Sequence, residues 1–295
     1  MDHDQGLYEV HQRPPLDAPV LVIAPDGWID AGLAGGGAMA ALLEDVPTEL
    51  VATFDSDEFI DYRARRPMSV MEDGVYHDLT WPRIELRSGH DADGHDLLVL
   101  VGPEPDSRWR AFTGAVAELS GMFGVRLLVG MAGFPAPVPH TRTAPLAASA
   151  SSTELATSIG VVPGTLQVPA GILAALGERL GMEGVPTIGL WARVPHYAAG
   201  LPYPDASVQL LDGLARVTGV RVDASDLREA AGDTHRRLDE LASNSAQHRA
   251  LIRQLESQFD AEAENQSALA AGWANLPTGD ELAAELEKYL RDESP

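Results

Sequence analysis

Val20-Leu21-Val22-Ile23 is the stretch that most narrows the folds open to this chain. Four apolar residues follow one another without alternation, the pattern of a strand buried on both faces. Pro25-Asp26-Gly27 breaks the run with a turn signal, and Asp30 can cap the helix that follows. The small face of that helix, Gly32, Gly35, Gly36 and Ala40, can lie close against a sheet. A strand–loop–helix unit of this kind sets its loop at the carboxyl edge of a parallel sheet, where such folds build their sites.

The alternation recurs along the chain. Thr48–Phe54, Asp96–Val101, Val125–Val129 and Thr187–Val194 read as further apolar strands, and Ala144–Ser151 as a strand of small residues. Gly74–Arg87 alternates weakly, as a strand or hairpin. Helices are expected over 107–121, 164–180 and 204–220. Strands alternating with helices argue an α/β domain with a largely parallel sheet over residues 1–222. Residues 223–295 differ. Leu238, Leu241, Ser245, His248, Ile252, Leu255 and Phe259 recur three and four apart, the spacing of a coiled-coil seam. Asn275-Leu276-Pro277 breaks that pattern, and Thr278 with Glu281 makes a capping box for a last helix carrying Leu282, Leu286 and Tyr289. The expectation is a C-terminal helical hairpin extension.

Composition removes several function classes. The net charge of −23 opposes nucleic acid and anionic membrane as partners. The chain has no cysteine, hence no disulfide, thiolate zinc site or thiol nucleophile. Its one lysine is Lys288, so Walker-type and Schiff-base lysine chemistry is not expected. No basic-then-apolar leader and no apolar run of membrane-spanning length is present, which predicts a soluble cytoplasmic protein. Gly35-Gly36-Gly37 lies inside a helix without phosphate-loop spacing, which favours close packing. There is no Gly-x-Ser-x-Gly elbow. Asp91-Ala92-Asp93-Gly94 begins like a calcium loop, yet Gly102 stands where the closing glutamate belongs, so it reads as a turn. No cofactor and no metal are expected.

In a parallel sheet four loops converge at one edge: Asp26–Asp30, Gly102–Trp109, Gly133–Arg142 and Arg193–Tyr197. They supply the candidate pocket Asp26, Trp28, Asp30, Glu104, Trp109, His140, Thr141, Arg142, Arg193, His196 and Tyr197, with Asp106 nearby. Two histidines among carboxylates suit acid–base work, and Arg142 or Arg193 can hold an anion. The same residue types also serve as caps, turns and ion pairs.

At these same loops the chain resembles the proteasome assembly chaperone 2 family, in its actinobacterial branch. The matching stretches are APDGWIDAG (24–32), DYRARRP (61–67), GPEPDSRW (102–109), GFPAPVPHTR (133–142) and LWARVPHY (190–197). The resemblance implies a three-layer α/β/α fold with a phosphorylase/hydrolase-like sheet and a helical C-terminal extension. It also implies a homo-oligomer, with a trimer favoured, acting as a binding or assembly scaffold with a possible protein partner. Eukaryotic relatives help to assemble proteasome α-rings, and proteasome-docking relatives end in a hydrophobic–Tyr–any tail. Here the last residues are Arg291-Asp292-Glu293-Ser294-Pro295, so tail docking to a proteasome is not expected. The alternative function is a phosphorylase- or hydrolase-like enzyme, or a small-anion or nucleotide binder. It would use the edge pocket, with His140 or His196 as acid–base.

Overall fold

Val20 and Val22 pack into one hydrophobic cluster and Leu21 and Ile23 into another, which is why the run does not alternate. The computed structural model describes residues 6–27, 29–158 and 165–274. Its strands are β1 (Tyr8–Val10), β2 (Val20–Ile23), β3 (Thr48–Phe54), β4 (Met68–Glu72), β5 (Val75–Thr80), β6 (Glu85–His90), β7 (Asp96–Val101), β8 (Leu127–Ala136), β9 (Leu146–Ala150) and β10 (Thr187–Pro195). Its helices are α1 (Ala34–Asp45), α2 (Ser56–Phe59), α3 (Trp109–Phe123), α4 (Thr153–Ser158), α5 (Ile172–Met182), α6 (Pro204–Thr218), α7 (Ser225–Ser243) and α8 (Ala246–Ala274).

Eight strands form one sheet in the order β1-β3-β6-β7-β2-β8-β10-β9. The central four, β7, β2, β8 and β10, are parallel. The flanking strands pair antiparallel, so the sheet is mixed rather than largely parallel. Each face carries helices. Met39 and Leu42 of α1 and Leu210 and Leu214 of α6 pack with Val20 and Val22. Phe112 and Leu119 of α3 and Leu176 and Leu180 of α5 pack with Leu21 and Ile23. This is a three-layer α/β/α arrangement.

Two glycines of α1 set its distance from its neighbours. A Cβ on Gly35 would stand 2.6 Å from the Met131 carbonyl oxygen, and one on Gly37 would stand 2.5 Å from Ser207 Oγ. The helix expected over 164–180 begins instead at Ile172. Pro169 disfavours helical backbone at Val168, and Gly171 is extended at the N-cap. Gly164 itself lies outside the described residues. The β4–β5 pair is a separate two-stranded sheet in which every residue is exposed.

By contacts the chain divides into two units, Met1–Glu240 and Leu241–Pro295. The seam spacing does not run through one helix, because Asn244 and Ser245 separate α7 from α8. Ser245 Oγ accepts from the His248 N–H at 3.3 Å and so caps α8. The break at Asn275 and the last expected helix lie outside the described residues.

Candidate functional site

Asp30 is the anchor of the carboxyl edge. Its Oδ1 accepts from the Gly35 N–H at 2.8 Å and the Gly133 N–H at 3.1 Å, and its Oδ2 accepts from the Gly36 N–H at 2.9 Å. The carboxylate therefore caps α1 across a short 3₁₀ turn, Ala31–Leu33, and ties the helix to β8. Gly32 and Leu33 both take left-handed backbone in that turn. Burial raises the Asp30 pKa, the three N–H donors pull it back down, and the Asp26 charge adds to the rise.

A cleft of about 680 Å³ opens beside this turn, with Asp26, Asp30, Tyr203 and Ser207 among its lining residues. Its carboxylates, and an α1 N-terminus already filled by Asp30, oppose an anionic ligand there. Glu104 lies on the other side of the β2 end. Its N–H donates to the Asp26 carbonyl at 2.9 Å, and its Oε1 accepts from the Ile172 N–H at 2.6 Å, so the side chain caps α5. Trp109 Nε1 donates to the Pro105 carbonyl at 2.6 Å at the start of α3. Arg65 bridges Asp26 at 3.4 Å and Asp106 at 3.4 Å and closes the group.

The histidines form a second group. The His140 side chain is 1% exposed. Its Nδ1 lies 2.8 Å from Tyr197 Oη and its Nε2 lies 3.2 Å from Asp239 Oδ1, on α7. A carboxylate only accepts, so the Nε2 proton points at Asp239. Tyr197 Oη accepts from the His140 backbone N–H at 2.8 Å and has its own proton for Nδ1. The three side chains are thus joined in the order Tyr197–His140–Asp239. The His196 ring stands edge-on to Tyr197, 5.3 Å between centroids. His235 continues the cluster, 6.4 Å from the His140 ring and with Nε2 3.3 Å from Tyr203 Oη. Burial and the nearby Asp205 and Tyr197 raise the Tyr203 pKa strongly.

The edge thus gathers the expected residues into groups rather than one pocket. Asp26 and Asp30 line the cleft; Glu104, Trp109, His140, Thr141, Arg142, Arg193, His196 and Tyr197 do not. Trp28 lies outside the described residues. β8 and β10 extend to Ala136 and Pro195, so Gly133 and Arg193 sit within strands rather than in loops. Arg142 Nη1 donates to the Thr141 carbonyl at 3.3 Å, and the Arg193 N–H donates to the Pro145 carbonyl at 2.9 Å. Tyr203, His235 and Asp239 were not expected. Tyr203 directly before Pro204-Asp205, a helix start, was the available signal; the other two sit on α7 without one. Among the described residues Asp91, Asp93 and His95 are grouped closely enough to hold a metal ion. The Asp91 oxygens are already engaged by the Asp93, His95 and Arg221 N–H groups and by His95 Nδ1, which fits the turn reading.

The PAC2 family model matches residues 24–242, which takes in both groups and most of the sheet. The chain belongs to the PAC2 family. A Corynebacterium glutamicum protein of unknown function is 32% identical, with a TM-score of 0.82 over 88% of this chain and 98% of that one. The Mycobacterium tuberculosis protein Rv2714, also of unknown function, is 33% identical, with a TM-score of 0.82 over 91% and 94%. A third structure, the M. tuberculosis proteasome-assembly chaperone homologue Rv2125, is 29% identical, with a TM-score of 0.73 over 79% and 99%. No curated protein matches the chain. No described helix is long and apolar enough to cross a membrane.

Proposed function

We propose that this PAC2 protein is a self-associating scaffold that binds another protein, with a homotrimer as its assembled state. The β4–β5 hairpin carries the reading. Met68, Val70, Met71, Val75, Tyr76 and Leu79 are between 46% and 74% exposed on it. A two-stranded hairpin is marginal alone in water, and large apolar side chains exposed together on so small an element mark an interaction surface. Tyr62 packs edge-on against Trp81, 4.7 Å between centroids, and fixes the hairpin base. The likeness to a proteasome-assembly chaperone homologue supports an assembly role.

Sedimentation equilibrium at micromolar concentration tests this. The expected mass is a multiple of the 31.4 kDa chain, three-fold for the trimer. Met71→Glu with Tyr76→Glu is expected to return the folded protein to monomer. A wild-type monomer, or association unchanged in the double variant, overturns the reading.

A further inference from the structure

Along β10, Ile188 and Leu190 pack into the cluster of α1 and α6, so Thr187, Gly189 and Trp191 face the side that carries α5. A groove of about 560 Å³ opens there, between α5 and the β9–β10 end of the sheet. Its size is that of a small-molecule pocket. It shares no lining residue with the cleft beside Asp30.

Three observations define what it would take. Trp191 lines the groove, and its Nε1 donates to Ser149 Oγ at 3.1 Å, which fixes the ring as a flat wall. Thr187 also lines it and is only 5% exposed, and its buried Oγ1 has no hydrogen-bond partner among the described residues. The Thr187 N–H is satisfied by Ser151 Oγ at 2.9 Å, so the hydroxyl alone is left over. A buried hydroxyl without a partner is costly, and a ligand that pairs with it recovers that cost. Thr187 Cγ2 stands toward Gly177. A turn of about 120° about χ1 carries Oγ1 to the position the methyl holds, toward Gly177 and the groove. Finally, among the described residues Glu178 is the one ionisable side chain lining the groove, and no cation lines it. An anion would meet a carboxylate with nothing to balance it.

We propose that this groove binds a neutral, flat heteroaromatic molecule, packed on Trp191 and hydrogen-bonded to Thr187. The test is a fluorine NMR titration of the full chain with two probes, fluoroindole and fluoroquinazolinone. At least one is expected to bind saturably. Thr187→Val keeps the shape and removes the unpaired hydroxyl. It should weaken that binding about tenfold, the worth of one hydrogen bond, while the melting temperature of the free protein holds or rises. Gly177→Leu should abolish binding with α5 intact, because a Cβ there meets Thr187 Cγ2 in ordinary contact at 3.6 Å and the longer side chain fills the groove that Gly177 lines. Absence of saturable binding by both probes overturns the proposal, as does equal affinity in both variants. A lowered melting temperature in Gly177→Leu with no probe bound by the wild type would assign the groove to a segment of this chain, and also overturns it.

Discussion

Two carboxylates, the buried Asp91 and the half-buried Asp30, respond to acid in opposite directions. Asp91 closes the β6–β7 turn. Burial would raise its pKa, but the Arg221 N–H, the His95 ring and the His95 N–H together hold it down at about 2. A carboxyl depressed by folding stabilises the native state above its unfolded value, and that contribution is lost as pH falls toward the folded one. Stability from Asp91 is therefore expected to drain away between about pH 4 and pH 2. Asp30 has the reverse sign: its pKa is raised, so folding gains as the carboxyl takes up its proton on acidification. Urea unfolding across this range should show a shallower acid loss in Asp91→Asn than in the wild type. An unchanged slope would mean that Asp91 is not the residue responsible.

At the scale of elements, the buried strands and α3 and α6 were legible because each is an unbroken apolar run or a clear periodic face. The direction of β3 and β6 was not, since strand direction is set by connections and not by burial, and β6 joins β7 through the tight turn at Asp91. The start of α5 was misplaced because small apolar residues before Ile172 extend the helical pattern past Pro169 and Gly171. The candidate edge was legible as a position, since strand ends can be read from turn signals. Its grouping was not: His140 meets Asp239 across ninety-nine residues, a pairing that no local spacing encodes. The packing role of the α1 glycines gives a direct test. Gly35→Ala forces a methyl against the Met131 carbonyl and is expected to cost about 1–3 kcal/mol despite better helix propensity. Gly114→Ala on α3, where a Cβ meets open space, should instead stabilise by up to about 1 kcal/mol. Chemical denaturation of the pair separates packing from propensity; destabilisation of both would refute the distinction.

Over the whole molecule, the sheet separates two cores that share a backbone and few side-chain contacts. Leu21 lies in one and Val22 in the other, although they are adjacent in the chain. Leu21→Ala is expected to cost about 2–5 kcal/mol and Val22→Ala somewhat less. Because their side chains have no partners in common, the double variant should equal the sum within about 0.5 kcal/mol. A coupling well beyond that, measured by a double-mutant cycle, would show that strain crosses the sheet.

The Asp30 carboxylate has one more consequence. Helix N-termini at the carboxyl edge of parallel sheets are ready-made berths for phosphate groups. Here the berth is occupied from within, by a side chain that arrives already attached and holds two neighbouring elements in the bargain. The protein is in effect born with its own counter-ion. Opening that berth to an outside anion would take a change at a single position, and the same change would untie the helix from the strand beside it.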